Sequence, residues 1–167
     1  MNLYLVGFMG SGKTAVAKEV AETTNLKYIE MDEFIEKKEN RSINDIFKDN
    51  GEDYFRKVEK EVLKRISLND NQVVSCGGGV VIDEENILLM KETGVLICLQ
   101  AKPEVIYQRV KDEKHRPLLN ANDPQVKIKE LLKARKPYYE KANYIIETDN
   151  ISIKQVAQEV KSIFLNK

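Results

Sequence analysis

The sequence predicts a three-layer α/β/α fold built on a five-stranded parallel sheet, and three observations carry that expectation. Five short β-rich runs alternate with charged segments of helical spacing. The runs are apolar on both sides, as strands covered by helices on both faces must be. A glycine-rich loop sits directly between the first run and the first helical segment. The 167 residues suit one domain, and 42% hydrophobic with 32% charged residues argues against disorder.

The first run is "NLYLV" (2–6), followed by "GFMGSGKT" (7–14). A helical pattern follows in 15–24, where Val16, Val20 and Ala21 share one face. The second strand is "KYIE" (27–30). Residues 32–68 hold helical stretches without a strand, interrupted at "NRS" and "DNG", and read as a helical insertion over the sheet. The third strand is "QVVSC" (72–76), with Gly77, Gly78 and Gly79 immediately after it, and the fourth is "GVLICL" (94–99). Residues 111–124, "KDEKHRPLLNANDP", are polar with prolines at 117 and 124, and read as a lid loop. The last strand is "NYIIET" (143–148), and the last helix, 153–164, lines up Ile153, Val156, Val160 and Phe164.

Lysine plus arginine and aspartate plus glutamate both number 27, so the formal net charge is zero. A general polyanion binder carries a basic excess, so nucleic acid is not the expected partner and any anion site must be local. Cys76 and Cys98 are too few for a disulfide framework and lie in apolar runs, as buried thiols of a reducing compartment do. No run approaches the ~18 apolar residues of a membrane span, and no basic-then-apolar leader opens the chain. A soluble cytoplasmic protein is expected, with no membrane partner and nothing that demands more than a monomer.

Residues 7–14 match G-x-x-x-x-G-K-[ST] throughout, with a strand before and a helix after. Glycines let the backbone close around an anion, and the helix N-terminus that follows attracts negative charge. Lys13 supplies a point charge for the β- and γ-phosphates of ATP, and the Thr14 hydroxyl a ligand for Mg²⁺. Glu30 and Asp32 flank Met31, so an extended chain would point both the same way. One could steer a Mg²⁺-bound water and the other accept a hydroxyl proton, or Asp32 could simply cap the next helix. Arg56 has Glu52 and Glu59 at helical-neighbour spacing, so an ordinary exposed ion pair is the simpler reading, with a fork for a substrate carboxylate as the alternative. The triple glycine permits close backbone approach to a ligand. His115, the only histidine, lies in the lid segment and reads as solvated, and without a cysteine cluster it makes no zinc site.

Taken together, these stretches resemble the shikimate kinases over nearly the whole chain. The resemblance rests on the phosphate loop, the acidic end of the second strand before "FIE", "RSINDIF", "GEDYFRKVE", the "GGG" turn, "RPLL" and "ARKPYY", in that order. It implies an ATP-dependent kinase of the nucleoside-monophosphate-kinase-like fold that phosphorylates the 3-hydroxyl of shikimate, with ATP and Mg²⁺ as its cofactors. It further implies that Gly10, Ser11, Gly12, Lys13 and Thr14 hold the nucleotide and that Asp32 binds the substrate hydroxyls. Arg56 and Arg135 would hold the substrate carboxylate beside Gly77, Gly78 and Gly79. Arg116 would meet the phosphates from the lid, with Arg109 near the adenine. Phe47 and Phe55 resemble the aromatic wall of the acceptor pocket. Two departures stand out. The family commonly has Asp-x-Asp where this chain has Glu30-Met31-Asp32, and its late adenine loop often carries a basic residue where this chain reads "TDNISIK" (148–154) without arginine. Another small-molecule kinase of this fold, such as a gluconate or nucleotide kinase, would need the phosphate loop and lid but not the arginine clamp. A non-catalytic nucleotide-binding protein would not need Lys13, Asp32 and Arg116 together.

Overall fold

The computed structural model describes residues 1–113 and 122–167. Five parallel strands form one sheet in the order β2-β3-β1-β4-β5: β1 Asn2–Val6, β2 Lys27–Glu30, β3 Gln72–Ser75, β4 Gly94–Gln100 and β5 Tyr144–Glu147. The register runs Leu3 to Val73 and Val95 about β1, Ile29 to Val74 across β2–β3, and Cys98 to Ile145 across β4–β5. Each strand begins within a residue of where its sequence run begins, and the third and fifth end one residue sooner.

Strand alternation divides the core into two layers. Tyr4, Val6, Val74, Leu96 and Cys98 face one side, under α2 (Met31–Glu39), α3 (Ile43–Ser67), α4 (Glu84–Thr93), α5 (Pro103–Val110) and α6 (Pro124–Tyr139). Leu3, Leu5, Val73, Val95, Ile97 and Leu99 face the other, under α1 (Lys13–Glu22) and α7 (Ile153–Leu165). Both cysteines are buried free thiols. Burial pushes each thiol up, Cys98 to about 12, so neither ionises near neutral pH. Among the described residues no helix is long and apolar enough to cross a membrane.

Local chemistry explains where the helices stop. The break at "NRS" is a left-handed Asn40 (φ 52°), after which the Ser42 side chain caps α3 by accepting from the Asp45 amide at 3.1 Å. The break at "DNG" is a kink: Gly51, at φ 80° and ψ 178°, interrupts α3 between two helical halves. Pro124 does not belong to the polar loop; it opens α6, whose first turn is capped by Asp123 accepting from the Val126 amide at 3.1 Å. Two face assignments shift. Ala17 rather than Ala21 completes the buried stripe of α1, and Ile153, at the first turn of α7, is 48% exposed while Ala157 is buried.

Candidate active site

The carboxyl ends of β1, β2 and β3 open into one cavity of about 540 Å³, where ligands of open α/β sheets bind. Gly10, Gly12, Lys13 and Thr14 reach it from the loop after β1, and Glu30 and Asp32 from the junction of β2 and α2. Phe47, Phe55, Arg56 and Glu59 come from α3, Gly77, Gly78 and Gly79 from the turn after β3, and Arg109 and Arg135 from α5 and α6. The fold therefore gathers these side chains from six segments into one chamber. Ser11 lies behind it, fully buried. Arg116 and His115 lie outside the described residues.

At the phosphate loop, Gly12 takes the N-cap position of α1 in the left-handed region (φ 95°), with no side-chain cap. The first-turn amides of α1 are thus left for an anion. The Lys13 ammonium donates to the carbonyls of Gly7 (2.9 Å) and Phe8 (3.1 Å), folded back along the loop. The Ser11 hydroxyl is buried without a hydrogen-bond partner among the described residues, an orphan that suits a loop built to close on a ligand. Thr14 donates its hydroxyl proton to Glu30 Oε2 at 2.9 Å and has the Ser75 hydroxyl at 3.3 Å. Tyr28 donates to the same Glu30 oxygen at 2.7 Å.

The acceptor side is organised by arginines and by the absence of side chains at the triple glycine. Arg56 donates to Glu59 Oε2 at 2.8 Å and to Glu52 at 3.2 Å. Burial pulls the Arg56 guanidinium down, but the two carboxylates outweigh it and the group stays charged. A Cβ on Gly79 would fall 2.3 Å from Arg56 Nη2, and one on Gly77 would fall 3.0 Å from Glu59 Oε1 and 3.4 Å from Asp32 Oδ1. The turn is bare because the arginine and two carboxylates press against it. Arg135 lies over the Phe8 ring at 5.5 Å, with Nη1 3.5 Å from where a Cβ of Gly78 would be. Tyr139, one helical turn on, donates to the Gly78 carbonyl at 2.7 Å. Phe47 and Phe55 stack at 4.6 Å between centroids along the cavity wall.

The family model for shikimate kinase matches residues 9–164. A shikimate kinase of Caldanaerobacter subterraneus subsp. tengcongensis is 44% identical over 159 residues, covering 95% of this chain and 93% of its own. The chain belongs to the shikimate kinase family. Among solved structures, the shikimate kinase of Acinetobacter baumannii in complex with shikimate is 36% identical with a TM-score of 0.93, covering 99% of this chain and 93% of that one. The shikimate kinase of Aquifex aeolicus is 37% identical with a TM-score of 0.85, covering 99% and 96%. The chain is a kinase that phosphorylates shikimate with ATP, in aromatic biosynthesis.

Within that family frame, the geometry corrects three expectations. Asp32 does not cap α2: the helix starts at Met31, Glu30 occupies the N-cap position, and Asp32 stands in the first turn. The extended-chain argument for Glu30 and Asp32 therefore fails, and both reach the cavity because the chain turns helical between them. The Arg56 ion pairs exist, but one partner, Glu59, is 1% exposed. An exposed surface pair does not describe a buried carboxylate facing a cavity. The triple glycine accommodates neighbouring side chains as well as any ligand.

Four contributors escaped the sequence reading as site residues: Glu59, Tyr139, Tyr28 and Thr148. Glu59 had a readable signal, since it interrupts the apolar stripe Phe55, Val58, Val62, Leu63 and Ile66 of α3. A carboxylate inside such a stripe is buried with a partner or for a purpose. Thr148 brings an arginine to its loop from another element. Its hydroxyl and carbonyl accept from Arg109 at 3.1 and 2.9 Å, and Arg109 also donates to the Gly10 carbonyl at 2.9 Å. An arginine on α5 thus ties the phosphate loop to the segment after β5.

Proposed function

We propose that the cavity divides the transfer between a donor half and an acceptor half. The observation that carries this reading is the placement of two guanidinium groups, Arg56 and Arg135, against Gly79 and Gly78, in one chamber with Lys13 and the phosphate loop. Two planar donor forks suit a carboxylate, and a cyclic polyol acid such as shikimate presents one. With the carboxylate held there, its 3-hydroxyl is directed at the loop; Asp32 accepts the hydroxyl proton as the oxygen bonds to the γ-phosphorus and the bond from that phosphorus to the β–γ bridging oxygen breaks, releasing ADP. Phosphoryl transfer depends mainly on positioning and charge neutralisation, and Lys13 supplies both on the donor side. Arg116, outside the described residues, would meet the phosphates as the resemblance implies, and residues 32–68 form the substrate-binding insertion. Gly10 to Thr14 hold the triphosphate, and Arg109 borders the adenine.

Magnesium fits the residues present. Thr14, Glu30, Asp32 and Ser75 offer only hard oxygens at the loop, as Mg²⁺ prefers. Among the described residues no three His, Cys, Asp or Glu side chains come together to hold a metal, and Mg²⁺ at a nucleotide site is commonly held by one or two carboxylates, phosphate oxygens and water. Such an ion supplies charge neutralisation between the β- and γ-phosphates. Thr14 would hold it directly, with Glu30 steering its water. The protein acts as a cytoplasmic monomer on small molecules, without nucleic acid or membrane.

A coupled assay with MgATP and a panel of alcohols tests the reading. Turnover of shikimate, with gluconate and nucleoside monophosphates inert, is expected. Turnover of another alcohol with shikimate inert would overturn it, and tight ATP binding without transfer to any acceptor would favour a regulatory protein.

A further inference from the structure

We propose that Tyr28 is a positioning residue for the magnesium site, acting through Glu30; the inference rests on the magnesium reading above. Glu30 ends β2, and a glutamate side chain there has three torsions to settle. Two hydroxyls settle them. Thr14 Oγ1 donates to Oε2 at 2.9 Å, and Tyr28 OH donates to the same oxygen at 2.7 Å. Among the described residues Oε1 makes no hydrogen bond, which leaves it to accept from a water of the metal shell. Because Thr14 spends its proton on Glu30, its hydroxyl oxygen keeps a lone pair for a cation even with the Ser75 hydroxyl donating to it at 3.3 Å. The carboxylate thus orients the metal ligand, and Tyr28 holds the carboxylate.

Tyr28 is suited to that task by its own anchoring. It lies two residues from Glu30 on the same strand and so on the same face. Its ring packs against the core layer under α1 and α7, with the Lys18 ammonium 5.6 Å from the ring centroid. A tyrosine has two side-chain torsions, and here the ring is fixed by packing, so its hydroxyl is a stationary peg. Leucine or phenylalanine would fill the same space and leave Glu30 free to swing away from Thr14.

Tyr28→Phe removes the peg and keeps the ring. The test is the affinity of Mn²⁺ for the enzyme–ADP complex, read from the electron paramagnetic resonance of the free ion, alongside steady-state kinetics. Tyr28→Phe should raise the Mn²⁺ dissociation constant and the Mg²⁺ requirement roughly 3- to 10-fold, the net worth of one ordinary hydrogen bond. The KM for shikimate should hold. In a Glu30→Asp background, whose shorter carboxylate draws back from the phenol, the same substitution should change Mn²⁺ affinity by less than about 2-fold, the limit of independence in such a cycle. Thr14→Val separates the two ideas. If it leaves Mn²⁺ affinity intact, the magnesium reading is wrong. If it weakens Mn²⁺ while Tyr28→Phe does not, only the role of Tyr28 falls. A raised shikimate KM in Tyr28→Phe with unchanged metal affinity would also overturn it.

Discussion

Gly79→Ala is the most informative single substitution at the acceptor side. The backbone of Gly79 has φ −100° and tolerates a side chain, so any effect comes from the added methyl group alone. That methyl would stand 2.3 Å from Arg56 Nη2, 2.6 Å from Nη1 and 2.7 Å from the guanidinium carbon. No real contact is that short, so the guanidinium must move. Arg56 is held by Glu59 at 2.8 Å and Glu52 at 3.2 Å, and leaving strands the Glu59 carboxylate, 1% exposed and with Oε1 already without a hydrogen-bond partner among the described residues. Removing one member of a buried pair costs roughly 3–5 kcal/mol. Here the arginine is displaced rather than deleted, and with 24% of its side chain exposed it can find water, so about 1–3 kcal/mol is the expected loss. For a chain of this length that is a fall in Tm of roughly 2–12 °C. The kinetic effect separates this account from general damage: KM for shikimate should rise roughly 10-fold or more, with KM for ATP unchanged. Adding Glu59→Gln should restore much of the Tm, because the stranded charge is gone, without restoring shikimate affinity. An unchanged shikimate KM in Gly79→Ala would refute the reasoning, since Arg56 would then be shown to do nothing from its present seat.

Other expectations follow from the same geometry. Arg135→Ala should raise the KM for shikimate roughly 10- to 100-fold with a smaller change in turnover, whereas Lys13→Ala should lower turnover about 10²–10³-fold; calorimetric shikimate titration and single-turnover kinetics distinguish the two. Arg109→Ala unties the Gly10 carbonyl from Thr148 and should weaken ATP binding while sparing shikimate, as measured by titration of each ligand alone. Burial raises the Glu59 carboxyl, with Arg56 opposing and Asp32 adding to the rise. An acid whose folded pKa is raised binds more protons folded than unfolded, so its contribution to stability is present at low pH and lost as pH climbs through the folded value. The Tm of Glu59→Gln relative to the unaltered protein should therefore improve from pH 4 toward neutrality; a flat or falling difference would count against a strained Glu59.

The parts of this protein that were legible in its sequence are those set by local chemistry. The phosphate loop is a contiguous motif, each strand is an apolar run between turn residues, and the breaks at Asn40 and Gly51 are written in residues that adopt or permit left-handed backbone. What stayed hidden depends on burial and on distance along the chain. Glu59 and Glu52 stand at equivalent helical spacing from Arg56, yet one is 1% exposed and the other 60%. Spacing shows that both can pair; only packing against the sheet shows which pair is buried. Thr148 lies 39 residues from Arg109, and no periodicity connects them.

The acceptor pocket is assembled around charges rather than around apolar walls, and that has a consequence for how it holds its shape. Glu59, Asp32 and the two arginines converge on a turn of three glycines, which can brace none of them with side-chain atoms of its own. Arg56 is held by carboxylates, and Arg135 rests on Phe8 beside Tyr139, which is itself tied to the Gly78 carbonyl. A ligand carboxylate entering between the arginines competes with Glu59 for the same donors, and the buried Glu59 can follow only by taking up a proton or a ligand hydroxyl. On the proposed arrangement, the site would be matched to a ligand that brings both groups at once. An acid without hydroxyls leaves the buried Glu59 carboxylate stranded, and an alcohol without a carboxylate leaves Arg56 on Glu59. Selectivity of this kind comes from the cost of stranded polar groups, and it discriminates more sharply than the fit of a ring against Phe47 and Phe55.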